Sequence, residues 1–326
     1  VSLQCHATNR TQGGRGVMSS REPVFSVIVP TYGRPDALRV CVQALAALEY
    51  PRDNFEVIIV DDGGNEPLEP LLKPVARQLR MKVVWQQNAG PAAARNCGAS
   101  HATGDMLAFT DDDCAPASDW LRAFASAHAA TGTALLGGRT VNALRDNSYA
   151  EASQLIIDVV YAHYNRDASN AQFFASNNMA VPMELFRRVH GFDPGFRTSE
   201  DRDLCDRWQS RGYRLRYVPG GVIYHAHLLT LRSFCNQHAG YGGGAWLYHM
   251  ARAQGGTGHF RPDWTFYKTL LRSPLGGRST REMARSYALL LIAQVANASG
   301  CFEQAMKERW ARRCRNPIST NRPEQF

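Results

Sequence analysis

Met106-Leu107-Ala108-Phe109-Thr110-Asp111-Asp112-Asp113 is the stretch that decides the fold. Its first five residues form a short apolar run without alternation, the pattern of a strand buried on both faces, and three carboxylates follow without a break. Working upstream, Phe25-Ser26-Val27-Ile28-Val29 and Phe55-Glu56-Val57-Ile58-Ile59-Val60 are runs of the same kind, and Lys82-Val83-Val84-Trp85 is a further strand. Between them, Pro35 opens a helical stretch with Leu38, Val42, Leu45 and Leu48 on one face, a second helix is expected near 67–80, and Pro91 starts an Ala-rich helix reaching about Ala102. Strands alternating with helices imply an α/β fold with a mostly parallel sheet flanked by helices. In such sheets ligands bind outside the carboxyl ends of the strands, where Asp61-Asp62 and Asp111-Asp112-Asp113 both fall.

Downstream, the pattern predicts a helix around 118–130, strands at Ala134-Leu135-Leu136, near Phe173–Val181 and near 214–224, a helix near 199–211, and a mostly helical remainder from about 230. The chain has 326 residues with 44% apolar and 10% aromatic content, enough for a packed core, so disordered, collagen-like and coiled-coil classes are excluded for most of it. Residues 1–22 show no periodicity and read as a disordered leader, with Met18 as a candidate biological start. Eight scattered cysteines with no CxxC pair argue against a disulfide framework or a zinc finger and fit a reducing, cytoplasmic setting. No apolar run reaches the roughly 18 residues needed to span a bilayer. The formal charge is +8, held mainly at the ends by Arg10 and Arg15 and by Lys307, Arg309, Arg312, Arg313, Arg315 and Arg322. That placement leaves the middle of the chain nearly neutral and says little about its ligand.

Three consecutive aspartates repel one another, so a cationic partner is expected, although a solvated acidic turn capping the helix after it is the ordinary alternative. A divalent ion with oxygen preference, Mn²⁺ or Mg²⁺, suits one or two carboxylates together with a substrate diphosphate. A carboxylate at the end of the second strand can accept hydrogen bonds from a base or ribose, although an Asp-Gly turn is the ordinary use of such a pair. In a helix over 199–211, Leu204, Cys205 and Trp208 share a face with Asp201, while Arg202 with Asp206 and Asp203 with Arg207 make i,i+4 pairs suited to solvent. Asp201 therefore faces inward. The ordinary alternative is that Ser199 caps this helix and Glu200 and Asp201 complement its dipole.

Taken in order, Val27-Ile28-Val29-Pro30-Thr31-Tyr32, Val60-Asp61-Asp62-Gly63, Asn88-Ala89-Gly90 through Ala94-Arg95-Asn96-Cys97-Gly98, Phe109-Thr110-Asp111-Asp112-Asp113 and Thr198-Ser199-Glu200-Asp201 resemble the family 2 glycosyltransferases, which have the GT-A, Rossmann-like nucleotide-diphospho-sugar transferase fold. The resemblance implies a GT-A domain over 23–229, a helical C-terminal region over 230–310 and a basic tail over 311–326. It implies that Pro30, Tyr32 and Asp62 line the nucleoside pocket, that Arg34, Asn88, Gly90 and Arg95 help hold the nucleotide, and that Asp111, Asp112 and Asp113 form the DxD element. Asp113 would bind the metal, with Asp111 a second ligand or, like Asp112, nearer the ribose and sugar. Asp201 of the Glu200-Asp201 pair would be the general base, and His225, with His227 second, would reach the metal. Asn178 is given a lining role beneath the donor sugar.

The implied reaction is inverting transfer from a nucleotide-diphosphate sugar, UDP-sugar favoured, to an acceptor hydroxyl on an unidentified saccharide, lipid, peptide or small molecule. Nucleic acid is not an expected partner. The QxxRW motif and membrane helices of processive synthases are absent from the sequence, which argues against polymer synthesis. Packing on the domain is the expected fate of the apolar stretch 284–298, ahead of pairing in a homodimer or peripheral contact with a membrane. A nucleotidyltransferase on a related fold usually carries a Gly-rich basic loop where this chain has Pro30-Thr31-Tyr32-Gly33-Arg34, and the presence of both Asp113 and Asp201 argues against a non-catalytic nucleotide-sugar-binding protein.

Overall fold

The computed structural model describes residues 22–254, 263–275 and 279–315. The expected leader and the far end of the basic tail lie outside the described residues. In chain order the elements are β1 (Phe25–Thr31), α1 (Pro35–Ala46), β2 (Phe55–Asp61), α2 (Glu69–Leu72), β3 (Met81–Trp85), α3 (Pro91–Ser100), β4 (Met106–Thr110), β5 (Cys114–Pro116), α4 (Trp120–Thr131), β6 (Leu135–Asn142), α5 (Ser148–Tyr164), β7 (Asn178–Pro182), α6 (Met183–Arg188), α7 (Glu200–Ser210), β8 (Leu215–His225), α8 (Leu231–Gln254), α9 (Trp264–Arg272) and α10 (Thr280–Arg315).

The strands form one mixed eight-stranded sheet in the order β3-β2-β1-β4-β7-β6-β8-β5. β1, β2, β3 and β4 pair in parallel, as do β6 and β8, while β7 runs antiparallel to both β4 and β6. The continuous apolar runs of β1 and β4 are buried throughout because helices cover both faces of the sheet. One layer packs Leu38, Val42 and Leu45 of α1 with Trp120, Leu121 and Phe124 of α4. The other packs Ala92 and Ala94 of α3 with Phe186 of α6 and Leu204 and Trp208 of α7.

The chain leaves β1 toward β2 on one side and returns to β4 on the other, so the strand order reverses between β1 and β4. That reversal opens a crevice at their carboxyl ends. The register sets Phe25 beside Met106 and Ile28 beside Phe109, and continuing it by three residues brings Thr31 next to Asp112.

Several expected boundaries are corrected. The helix near 67–80 is only Glu69–Leu72, because Pro74 has no N–H to donate and its ring collides with the preceding turn. The strand near Phe173–Val181 begins only at Asn178. The strand expected at Ala134-Leu135-Leu136 is β6, which begins at Leu135 and continues through Gly137 and Gly138 to Asn142. A Cβ on Gly138 would stand 2.0 Å from the Gly221 carbonyl oxygen, so this glycine serves close backbone approach. Helix α5 was not anticipated; Asn147 caps it by accepting from the amides of Tyr149 and Ala150.

Among the described residues no helix is long and apolar enough to cross a membrane. Cys41, Cys97, Cys114, Cys205, Cys235 and Cys301 are free thiols.

Candidate functional site

Two groups of charged side chains meet at the carboxyl ends of the parallel strands. The first lies where β4 runs out. Asp112 is fully buried and accepts from Thr31 Oγ1 at 2.7 Å and Arg34 Nε at 3.2 Å, with a second guanidinium nitrogen on its other oxygen. Burial, reinforced by the neighbouring aspartates, pushes its carboxyl up to about 6 despite Arg34. Asp113 is shared between two partners, with Arg34 Nη1 2.8 Å from Oδ2 and His225 Nε2 3.2 Å from Oδ1. Burial alone would raise Asp113, but the His225 hydrogen bond and the charges of His225 and Arg34 outweigh it and hold the carboxyl well below its usual range. The same bond raises His225 against its own desolvation.

Strand pairing explains why His225 is there. β5 and β8 are antiparallel with Cys114 opposite His225, so a residue more than a hundred positions away in sequence lands beside the aspartates. The His227 ring lies 4.9 Å from that of His225, and burial together with the His225 charge lowers its pKa.

The second group is centred on Arg95 of α3, which is only 3% exposed. Its Nη2 donates to Asp111 Oδ1 at 2.6 Å and its Nη1 to Glu200 Oε1 at 2.9 Å, and Asp111 and Glu200 both raise its pKa against desolvation. Glu200, at the first position of α7, is pushed up to about 7 by burial and by the charge of Asp201. Asp201 takes a different set of partners, accepting from the amide of Arg202 at 2.7 Å, and burial raises its carboxyl too. Ser199 makes no side-chain cap and adopts φ 71°, so the capping alternative is replaced by a left-handed turn that delivers the acid pair.

The geometry fixes the surroundings of the other expected residues. Asn178 has 0% exposure and lines nothing; it accepts from Trp120 Nε1 at 2.8 Å and donates to the carbonyls of Arg139 and Gly221 at 3.0 and 2.9 Å, pinning β7 to its neighbours. Arg95, expected to help hold the nucleotide, spans Asp111 and Glu200 as an internal strut. Asp111 pairs with Arg95 and does not join the group of Asp113, Cys114 and His225, whose donor atoms lie within 4.8 Å of one another. His227 is outside that group as well. Pro30 is buried within β1, opposite Val60.

Asp62 braces a loop. It accepts from Gln86 Nε2 at 2.7 Å and from the amides of Ala89 and Gly90 at 2.9 Å each, and Gly90 takes φ 90° there. Asn88 is exposed on that loop, and Tyr32, 58% exposed, offers its ring at the carboxyl end of β1. Sequence reasoning missed Thr31, although it stands in the quoted β1 motif, and Asn177, whose buried Oδ1 has no hydrogen-bond partner and whose Nδ2 lies 3.9 Å from Cys114 Sγ.

A carboxylate and an imidazole side by side are a donor set that fits Mn²⁺, and Mg²⁺ through Asp113. Cys114 is a poor ligand for either ion, since its soft thiol does not match their preference for oxygen or imidazole, and burial and the adjacent aspartates raise its pKa well above the usual range.

A mixed sheet with an acidic crevice at the β1/β4 reversal defines a GT-A fold, and solved structures agree. The mannosyltransferase PcManGT from Pyrobaculum calidifontis, determined with GDP-Man and Mn²⁺, superposes with a TM-score of 0.57 at 21% identity, covering 90% of this chain and 81% of that one. S. aureus TarS residues 1–349, determined with UDP-GlcNAc, gives 0.51 at 15% identity over 88% of this chain and 92% of that one. Residues 26–190 match Glycosyl transferase family 2, and residues 156–229 match the N-terminal domain of galactosyltransferase. The chain belongs to glycosyltransferase family 2. Among curated relatives, a pre-mycofactocin glycosyltransferase of Mycobacterium tuberculosis is 32% identical over 230 residues, 68% of this chain and 46% of that protein. A validoxylamine A glucosyltransferase of Streptomyces hygroscopicus is 31% identical over 240 residues, 65% of this chain and 52% of that protein. The chain thus spans about half the length of these relatives.

Proposed function

We propose that this chain is a metal-dependent, inverting glycosyltransferase that moves a sugar from a nucleotide-diphosphate donor, UDP-sugar favoured, to an acceptor hydroxyl. The observation that carries the reading is the separation of two carboxylates: Asp113 sits between Arg34 and His225 in the β1/β4 crevice, while Asp201 stands apart in the first turn of α7, its carboxyl raised by burial. The first suits a cation, the second a base.

Mn²⁺ or Mg²⁺, held by Asp113 and His225, would supply charge neutralisation for the departing diphosphate. On the chain's side, Tyr32 and the loop braced by Asp62 offer the surface on which a nucleoside can lie. Asp201 takes the proton of the acceptor hydroxyl as its oxygen bonds to the anomeric carbon and the bond from that carbon to the diphosphate oxygen breaks. One displacement on the face opposite the leaving group inverts the centre. Arg95 fixes Glu200 and Asp111 across the site, so the acid pair stays in register with the crevice.

A thermal-shift panel of UDP-, GDP- and dTDP-sugars with and without Mn²⁺ tests the donor side: at least one should raise Tm only when the metal is present. Asp201→Asn should retain that shift and lose transfer by 10²-fold or more, on the scale of general-base catalysis. No metal-dependent shift with any donor would remove the donor-site reading, and full activity in Asp201→Asn would remove the base.

A further inference from the structure

The side chain of Arg34 occupies a singular position. It follows Gly33, which turns the chain at φ 63°, and precedes Pro35 at the start of α1, so its backbone is fixed where β1 ends. From there the guanidinium spans two carboxylates, contacting both oxygens of Asp112 and donating from Nη1 to Asp113 Oδ2 at 2.8 Å. His225 occupies the other oxygen of Asp113. Both oxygens of the one carboxylate best placed for a metal are therefore already engaged, one of them by a full positive charge. Half of the Arg34 side chain is nevertheless exposed, so it has room to turn outward.

Electrostatics makes simultaneous occupancy unfavourable. A dication at Asp113 would sit within a few ångströms of the guanidinium, and like charges at that range in a partly buried site repel strongly. If the arginine turned away alone, it would leave the fully buried Asp112 with Thr31 as its remaining hydrogen-bond donor, which is costly for an ionised group. A nucleoside diphosphate removes both penalties, because its oxygens can accept the displaced guanidinium in a bidentate contact while the dication takes over the aspartates.

We propose that Arg34 is the resident counter-cation of Asp112 and Asp113 and exchanges places with the divalent ion when the diphosphate arrives, passing from the carboxylates to the diphosphate oxygens. The proposal rests on the donor-site reading above. It makes metal and nucleotide binding mutually dependent: the ion alone must compete with Arg34, and the ion with the nucleotide need not.

The test is Mn²⁺ binding to the full chain, followed by the loss of the free-ion EPR signal, first with Mn²⁺ alone and then with UDP or GDP present. Arg34→Gln should bind Mn²⁺ alone at least about tenfold more tightly than wild type, the scale of a close charge pair. In wild type the nucleotide should strengthen Mn²⁺ binding by a larger factor than in Arg34→Gln. Arg34→Lys, which keeps the charge but cannot span two carboxylates, should fall between them and decides the matter if the Gln variant does not fold. Equal or weaker Mn²⁺ binding in the variants would overturn the exchange while leaving the metal site standing. Failure of every form to bind Mn²⁺ would overturn the metal reading along with it.

Discussion

Glu200 and Asp201 are chain neighbours with different surroundings, and that difference has a measurable sign. Glu200 is raised from its ordinary 4.5 to about 7, burial first and the Asp201 charge second, while Arg95 only partly compensates. A carboxyl raised in the folded state favours folding while it is protonated. The contribution is complete below about pH 4.5 and lost as pH rises through about 7. Glu200→Gln resembles the protonated form and does not titrate, so its stability relative to wild type should grow across that window and level off above it. Urea unfolding of both proteins at several pH values checks this, and a pH-independent difference would mean that Glu200 is not held protonated by its site. The acids themselves were legible in the sequence, because strand ends and short acidic motifs leave strong local signals. What they pair with was not: Arg95 and Glu200 meet across 105 positions, a distance only the assembled sheet closes. The Asn177-Asn178 pair shows the same limit at its finest, since a strand turns alternate residues to opposite faces and only the register tells which asparagine meets the site.

At the scale of elements, the acid pair is aimed by a contact between α8 and the turn before α7. Thr198 Oγ1 donates to the Gly240 carbonyl at 2.8 Å, and a Cβ on Gly244 would lie 2.2 Å from that hydroxyl oxygen and 2.5 Å from the Thr198 carbonyl oxygen. Gly244 lets the helix and the turn touch. Gly244→Ala should therefore push the start of α7 away, costing about 1–3 kcal/mol of stability as overpacking does. Transfer should fall further than nucleotide affinity, because Asp113 and His225 stand on β4's end and β8 and are not displaced. Ser199→Gly, relieving a left-handed serine, should stabilise by about 1 kcal/mol. Chemical denaturation alongside nucleotide titration separates the outcomes; wild-type transfer in Gly244→Ala would show that the contact does not aim the acids. The sequence pattern marked β1, β2, β4 and α7 well because each is a run of one period with punctuation at its ends. It failed at α2, where three prolines cut an apolar helical pattern short, and at α5, whose many half-buried residues blur the contrast between faces on which periodicity depends.

The whole molecule joins its helical end to the sheet domain through shared core. Phe234 of α8 is fully buried with Ala152 of α5 and Leu289 and Ala293 of α10, and Val159 of α5 packs with Leu270 of α9 and Leu290 of α10. Gly242 and Gly300 let α8 and α10 cross closely, since a Cβ on either would stand under 2 Å from a carbonyl oxygen of the other helix. The helical remainder expected from about 230 therefore packs against the sheet domain, and the expected packing of 284–298 is seen at Leu289, Leu290 and Ala293. The net +8 belongs to a molecule whose crevice carries Asp111, Asp112 and Asp113, so the overall charge does not describe the site. A chain ending after Gln254 would lose the burial of Leu270, Leu289 and Leu290, each contributing about 1.5–3 kcal/mol, and would expose Phe234 and Val159. Against a total of about 5–15 kcal/mol for a folded domain, that loss is severe. Scanning calorimetry should find such a chain unfolded, or melting roughly 10 °C or more below the full one, given about 2–4 °C per kcal/mol at this size. An unchanged Tm would instead mean that the sheet domain stands alone, with α8 reaching α7 through its own contacts at the Thr198 turn and from Tyr248 to Asp206.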